Sequence, residues 1–196
     1  RIILHFTVTA CQAGQGRGAP SMECFKTCDF VAENLSENLE IKDDFYKKLS
    51  EVISNTAVIT TNTSGMSINL LSRSVKWPER FIGMHWFNPP HLVPLIEIIK
   101  GEKTREDVVQ TVYDLSLKIG KKPVLVNRDI PGFAANRLQF AILREALALV
   151  AQGVVSAEGI DDVMKYGLGF RYACLGPLEV ADFGGLDTFT HISSYL

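Results

Sequence analysis

Short apolar runs alternate with stretches of helical periodicity up to about residue 130. Runs rich in β-branched and aromatic residues predict strands at 29–32, 57–62, 81–86, 95–99 and 123–126. Apolar residues also recur at helical spacing in two groups: Ile41, Phe45, Leu49 and Val52, and then Val108, Val112, Leu115 and Ile119. Residues 104–107 are typical of a helix start before the second group. Strands that alternate with helices predict an α/β domain with a mostly parallel sheet.

The pattern becomes wholly helical after Pro131 and Gly132. An amphipathic run extends from Phe133 to about Gln152 and stops at Gly153, which is typical of a helix end. Ser156 then begins a short helix that ends near residues 166 and 167. The predicted division is therefore an α/β domain over residues 1–128 and an all-α domain over residues 129–196.

The first 28 residues fit this pattern poorly. Residues 1–10 have the composition of a strand, and residues 14–19 match the G-x-G-x-x-G/A dinucleotide pattern. However, Pro20 follows at once, and only about ten residues remain before the next strand, which is barely enough for a crossover. We therefore expect that most of the first βαβ half of the domain is absent.

The composition is that of a globular protein, with 46% hydrophobic and 21% charged residues. A formal net charge of −2 gives no electrostatic signature of binding to nucleic acid or to an anionic membrane. The longest helix-like apolar stretch, residues 140–150, contains Arg144 and Glu145 and is too short to span a bilayer. We expect neither a nucleic-acid partner nor a membrane-spanning segment.

The cysteines predict no metal site and no disulfide framework. They are Cys11, Cys24, Cys28 and Cys174. Cys24 and Cys28 lack a second pair of metal ligands, which disfavours zinc. We expect reduced thiols and a cytoplasmic location.

Candidate chemistry concentrates in residues 81–97, which read FIGMHWFNPPHLVPLIE. His85 ends one predicted strand, a turn with two prolines follows, and the next strand carries Glu97. A carboxylate on one ring nitrogen fixes the tautomer of a neutral histidine, so that the other nitrogen is free to take a proton from a substrate hydroxyl. A satisfied core histidine and an unrelated surface glutamate would show the same spacing.

Two further polar residues follow other elements of the predicted sheet. Ser64 comes after the second predicted strand, and Asn136 lies on the first turns of the long helix. Because a doubly wound sheet delivers the loops after its strands to one ligand crevice, a hydroxyl, an imidazole and an amide would converge there. A turn or helix-cap role for Ser64 and a buried interdomain hydrogen bond for Asn136 are the alternatives.

The segment around His85 resembles the catalytic segment of the L-3-hydroxyacyl-CoA dehydrogenases, in the branch that includes the 3-hydroxybutyryl-CoA dehydrogenases. Four further segments follow in the order found in that family: ENLSENLEIK at 33–42, NTSGMSI at 62–68, IPGFAANRL at 130–138 and LGPLEVADFGGLDTF at 175–189. The resemblance runs from about Asp29 to Leu196. It implies a partial Rossmann-type doubly wound sheet followed by an all-α C-terminal domain, in a chain truncated at both ends.

The resemblance also implies catalytic roles. His85 would be the general base, Glu97 its orienting partner, and Ser64 and Asn136 hydrogen-bonding residues around the substrate oxygen and the nicotinamide. The implied reaction is the NAD-dependent oxidation of an L-3-hydroxyacyl-CoA to a 3-oxoacyl-CoA.

Binding roles follow from the same resemblance. Glu37 and Lys42, together with Ser64, would contact the nicotinamide side of NAD; a solvated helix start is the alternative for Glu37 and Lys42. The family forms homodimers through the helical part, and the apolar run from Phe133 onward favours such an interface.

Two other interpretations remain. In the first, the chain is a non-catalytic fragment that serves as a helical dimerisation or interaction core. In the second, it belongs with the hydroxyisobutyrate and phosphogluconate dehydrogenases. The latter resemble this fold but use a lysine, and the presence of His85 with Glu97 argues against them.

Overall fold

The computed structural model describes residues 22–196. The strand predicted at residues 1–10 and the glycine pattern at residues 14–19 lie outside the described residues. Two compact units are present, one ending at Leu138 and the other covering Gln139–Leu196. The predicted domain division, after residue 128, stays a prediction.

In the described part of the first unit, one sheet contains the strands β1 (Phe30–Glu33), β2 (Val58–Thr61), β3 (Phe81–Trp86), β4 (Leu95–Ile99) and β5 (Lys122–Val126). The strand order follows the chain. The β3–β4 pair is antiparallel, because the connection over residues 87–94 is too short for a crossover between parallel strands, and the other pairs are parallel. The predicted α/β class with a mostly parallel sheet is confirmed.

Helices cover both faces of this sheet. They are α1 (Leu39–Val52), α2 (Ile68–Leu71) and α3 (Glu106–Lys118), with short 3₁₀ turns at Met22–Thr27, Ser72–Ser74 and Pro78–Arg80. Successive strand residues such as Phe81 and Ile82 enter different apolar cores, as the alternation of side chains along a strand requires. The helix α1 contributes to the core of Phe81, and α3 contributes to the core of Ile82.

Gly83 allows α2 to approach the sheet just before His85. A Cβ atom at Gly83 would lie 2.9 Å from Ile68 Cδ1 and 2.9 Å from Ile99 Cβ. Both neighbours are fully buried, so neither has room to move. A side chain at this position would therefore displace either α2 or β4.

The predicted apolar stripe on α1 is partly wrong. Ile41 is exposed, whereas Lys42 and Tyr46 are buried beside Leu49. The physical reason is a buried carboxylate on β1, Glu33, which binds the ammonium of Lys42 and the hydroxyl of Tyr46. The helix is therefore rotated toward its polar partners.

The start of α3 also differs from the prediction. Arg105 occupies the N-cap position and forms no side-chain cap. The Thr104 hydroxyl instead donates to the Phe81 carbonyl at 2.7 Å and accepts from the Gly101 amide at 3.0 Å. It ties the helix start to the beginning of β3.

The second unit is helical, as predicted. The helix α4 (Ala135–Ala151) enters it, and α5 (Ala157–Asp162), a π-helical turn at Val163–Leu168, α6 (Gly169–Tyr172), α7 (Pro177–Gly184) and α8 (Leu186–Ser193) follow. Gly153 has a positive φ of 71° after the end of α4, and the Ser156 side chain caps α5 by accepting from the Gly159 amide. In residues 22–196, no helix has the length and apolar character needed to cross a membrane.

A surface groove of about 370 Å³ lies at the amino ends of β1 and β2. Phe30, Val58 and Leu115 form its apolar floor. His85 lies near the carboxyl end of the parallel neighbour β3, so the groove is at the opposite end of the sheet.

Candidate active site

His85 and Glu97 form a buried hydrogen-bonded pair. The two residues face each other in the antiparallel register of β3 and β4, which directs their side chains to the same face of the sheet. His85 Nδ1 and Glu97 Oε2 are 2.9 Å apart, so the predicted hydrogen bond is present. A carboxylate at this position is an acceptor, which places the ring hydrogen on Nδ1 and leaves Nε2 as the basic nitrogen.

The second oxygen of Glu97 binds the start of α4. Oε1 accepts from the backbone amides of Ala134 and Ala135 at 3.0 and 2.9 Å. Burial alone would raise the pKa of Glu97, but the hydrogen bonds from His85, Ala135 and Ala134 outweigh it and hold the pKa below its ordinary value. One ionised carboxylate therefore orients the imidazole and satisfies free amides at a helix N-terminus.

Two aromatic rings flank the imidazole. The ring centroid of His85 lies 4.5 Å from that of Phe87 and 5.6 Å from that of Phe133. His85 is only 4% exposed, and the Phe87 and Phe133 rings pack against it. Phe133 reaches this position through a turn in which it and Gly132 both have positive φ, 51° and 76°.

Ser64 and Asn136 lie together although they are far apart in sequence. The side-chain amide of Asn136 donates to the Ser64 carbonyl at 2.7 Å. Asn136 follows directly after the two amides that Glu97 binds, so the Ser64 turn, the start of α4 and the His85 pair form one connected network. Asn136 and the Ser64 turn are therefore in contact. The predicted convergence of the two side chains with His85 on one ligand crevice stays a prediction, as do their chemical roles.

Glu37 braces the same turn from the other side. Its carboxylate accepts from the Thr63 hydroxyl at 2.8 Å and from the Ser64 amide at 3.3 Å. The Glu37 side chain is 43% exposed, so it also faces solvent at the carboxyl ends of β1 and β2. The interpretation of Glu37 as part of a solvated helix start therefore describes only part of its role, because Glu37 also stabilises the Ser64 turn.

Lys42 occupies a different environment from the one predicted. Its side chain is 0% exposed, and its ammonium binds both oxygens of Glu33 at 2.8 and 3.0 Å and the Leu35 carbonyl at 3.2 Å. Glu37 lies farther away, with 3.8 Å between the charged atoms. The alternative of a solvated helix start is wrong for Lys42, because its side chain is fully buried. Its contact with a cofactor stays a prediction.

Glu33 is the centre of this buried polar cluster. Besides Lys42, its carboxylate accepts from the hydroxyls of Tyr46 and Thr61 at 2.6 and 2.7 Å. Burial, followed by the neighbouring Glu33 charge, raises the pKa of Tyr46 above its ordinary value. Tyr46 therefore remains a neutral donor, and the cluster fixes the loop between β1 and α1.

Substituting Tyr46→Phe tests the energetic weight of that cluster. We expect the free energy of unfolding to fall by about 1.5–3 kcal/mol, because a hydrogen bond to a buried charged group is lost without a change in shape. Urea unfolding monitored by circular dichroism measures the change. The exposed Tyr166→Phe is the matched control, and an equally small effect of both variants would contradict the prediction.

The lowered pKa of Glu97 predicts a pH-dependent contribution to stability. An unfolded glutamate titrates at about pH 4.3, so the folded state holds this proton more weakly. The contribution is therefore complete above about pH 4.3 and is lost as the pH falls through the lower folded pKa. Urea unfolding of the wild type and Glu97→Gln should give a difference in the free energy of unfolding that narrows as the pH falls below about 4.3. A difference that widens on acidification would count against this.

The structure adds residues that the sequence pattern did not identify. Lys121 donates to the Val93 carbonyl at 2.8 Å and to the Pro90 carbonyl, and its ammonium lies 5.4 Å from the centre of the Trp86 ring. It thereby holds the loop after β3. The Pro131–Gly132 pair in the sequence indicated a turn near the two positive-φ residues 132 and 133. No sequence pattern indicated the role of Lys121.

No group of three or more metal-ligating side chains is present among residues 22–196. The family description "3-hydroxyacyl-CoA dehydrogenase, NAD binding domain" matches residues 8–130, and "3-hydroxyacyl-CoA dehydrogenase, C-terminal domain" matches residues 132–196.

Two relatives and a solved structure are similar to most of this chain. A 5-formyl-3-hydroxy-2-methylpyridine 4-carboxylate 5-dehydrogenase of Mesorhizobium japonicum is 44% identical, over 86% of this chain and 54% of that relative. A probable 3-hydroxybutyryl-CoA dehydrogenase of Deinococcus radiodurans is 38% identical, over 89% and 62%. A crystal structure of a 5-formyl-3-hydroxy-2-methylpyridine 4-carboxylic acid 5-dehydrogenase, described as an NAD⁺-dependent dismutase, has a TM-score of 0.86 and is 39% identical. The match covers 91% of this chain and 62% of that one. The chain thus spans 54–62% of the length of these proteins.

Proposed function

Because the chain belongs to the 3-hydroxyacyl-CoA dehydrogenase family, we propose that it serves the NAD-dependent oxidation of an L-3-hydroxyacyl-CoA to a 3-oxoacyl-CoA. The observation that carries this proposal is the His85–Glu97 pair at 2.9 Å, with the second oxygen of Glu97 fixed by two backbone amides. Such a pair is a preorganised general base. The Deinococcus relative is named for a reaction of this kind.

In the proposed reaction, Nε2 of His85 takes the proton of the substrate hydroxyl. The buried Glu97 carboxylate then stabilises the imidazolium, and its charge acts strongly because little water reaches it. The Asn136 and Ser64 side chains supply polar contacts around the substrate oxygen. In the reverse direction, the imidazolium is the acid that returns the proton.

The residues present fit the nicotinamide half of NAD. Glu37, Thr63 and Ser64 lie at the carboxyl ends of two parallel strands, which is where doubly wound sheets bind dinucleotides. The partly exposed Glu37 carboxylate is a suitable acceptor for ribose hydroxyls. NAD supplies the hydride acceptor when it is bound.

A second candidate substrate is an aromatic aldehyde. The observation that favours it is the similarity to the Mesorhizobium dehydrogenase, whose printed name specifies a formyl pyridine carboxylate. The same histidine base would deprotonate an aldehyde hydrate, so the pair does not distinguish the two reactions. The difference would lie in the groups that bind the rest of the substrate.

Cofactor binding is tested first, and the substrate second. Titration with NADH, followed by the fluorescence of Trp77 and Trp86, should show saturable binding. NADH formation with an L-3-hydroxyacyl-CoA should then exceed formation with the formyl pyridine carboxylate. Faster oxidation of the aldehyde would establish the second candidate; binding without turnover of either would support the non-catalytic interpretation.

We also propose that the chain is a cytoplasmic homodimer that associates through its helical part. Several large apolar side chains of the second unit are exposed, with Leu178 83% and Phe183 80% accessible. Apolar surface of this kind marks an interaction site, and closed two-fold pairing is its commonest solution in homo-oligomers. Acyl-CoA is the proposed small-molecule partner.

Light scattering tests the dimer. We expect a mass near twice 21.7 kDa at micromolar protein concentration, and a shift toward the monomer with Phe183→Asp, because a charge would be buried in the interface. Gln110→Glu, an equal charge change on the exposed face of α3, is the matched control. A monomer mass that does not depend on concentration would rule the dimer out.

A further inference from the structure

The end of β3 that carries His85 extends beyond β2. The β2–β3 ladder ends with Thr61 paired to Gly83, whereas β3 continues to Trp86. On the other side, His85 and Trp86 remain paired with β4. Within the described sheet, the His85 end of β3 is therefore paired with β4 on one side and with no strand on the other.

Asn62 supplies the missing support. Its side-chain oxygen accepts from the Trp86 amide at 2.8 Å, and its side-chain nitrogen donates to Asn34 Oδ1 at 2.9 Å. Its backbone amide donates to the Glu33 carbonyl at 2.9 Å. One residue thus connects the carboxyl ends of β1, β2 and β3, directly beside the histidine.

We propose that Asn62 is a positioning residue for His85, acting through the Trp86 amide. Trp86 lies between His85 and Phe87, whose ring packs on the imidazole. If the Trp86 amide is released, the end of β3 can shift, and both the Phe87 contact and the His85–Glu97 hydrogen bond change. The catalytic consequence rests on the proposed function, whereas the effect on the imidazole does not.

Three variants separate this role from general support of the sheet. Asn62→Ala removes both side-chain hydrogen bonds. Asn62→Asp keeps the acceptor for the Trp86 amide and loses the donor to Asn34. Asn34→Ala is the matched control, because it removes the Asn34 bond and leaves the Trp86 bond intact. If Asn62→Ala does not fold, Asn62→Thr replaces it, since the shorter side chain does not reach Trp86.

The primary measurement is the NMR signal of the His85 Nδ1 proton in the ligand-free protein, with hydrogen exchange of the Trp86 amide. We expect Asn62→Ala to broaden or shift the Nδ1 signal and to speed exchange at Trp86 by about tenfold, the usual worth of one hydrogen bond. Asn62→Asp and Asn34→Ala should resemble the wild type in both. In the active protein, Asn62→Ala should lower kcat by a similar factor while KM for NAD stays unchanged.

The outcomes separate the two proposals. An unchanged Nδ1 signal in Asn62→Ala would overturn the positioning role. An equal change of that signal in Asn34→Ala would also overturn it, because Asn62 would then only stabilise the ends of the strands. The expected NMR changes in a protein that forms no NADH would support the positioning role and refute the proposed reaction.

Discussion

Substituting His85→Gln is expected to lower kcat by about 10²–10⁴-fold, the usual contribution of a positioned general base. Glutamine has a similar size and can still donate a hydrogen bond to Glu97 Oε2, but it offers no nitrogen that accepts a proton at neutral pH. The buried Glu97 carboxylate therefore keeps a partner. Initial rates of NADH formation at saturating NAD and substrate measure the effect.

The exposed His191→Gln on α8 is the matched control for this experiment. It makes the same chemical change far along the chain from the β3–β4 pair, and its rate should equal that of the wild type. NADH binding by His85→Gln should also remain near the wild-type value. A His85→Gln protein with an unchanged rate would remove this residue from the mechanism.

The second large effect is expected from Glu97→Gln. The side-chain oxygen of glutamine can still accept from the Ala134 and Ala135 amides, which leaves its NH₂ group facing His85 Nδ1. The imidazole must then accept at Nδ1 and carry its hydrogen on Nε2, which is the wrong tautomer for a base. We expect kcat to fall by about 10²–10⁴-fold, as a tautomer change does in a related histidine–carboxylate arrangement.

Glu97→Ala separates the chemical role from the structural one. It removes the acceptor for both amides as well as the partner of His85, so its free energy of unfolding should fall by about 3–5 kcal/mol, more than that of Glu97→Gln. The exposed Glu51→Gln serves as the control for both rate and stability. If Glu97→Gln retains wild-type turnover, the carboxylate does not set the tautomer.

Local sequence patterns predicted most of the strands and helices. The strands β3 and β4 match their predicted bounds, because each is a continuous apolar run that ends at a turn signal. The same runs predicted that His85 and Glu97 lie on successive strands, whereas the antiparallel register that places them opposite each other is seen only in the assembled sheet. The contact of Asn136 with the Ser64 turn agrees with the position of each residue just after a strand or at the start of a helix.

Features that depend on distant partners were not predictable in this way. Lys42 is buried because Glu33, on another element, provides a carboxylate below the surface, and helical periodicity assigns such a lysine to solvent. The covering of His85 by Phe133 needs a positive φ at a non-glycine residue, which L-residues rarely adopt. Asn62 has its role only because β3 is longer than β2, a property of the assembled sheet.

The direct test of the proposed activity is NADH formation, followed by absorbance, when this chain is mixed with NAD and L-3-hydroxybutyryl-CoA. We expect a linear increase that depends on the chain and on both reactants, and whose rate falls by about 10²–10⁴-fold in His85→Gln. Saturable NADH binding by the folded wild type, together with no NADH formation from the acyl-CoA, would contradict it.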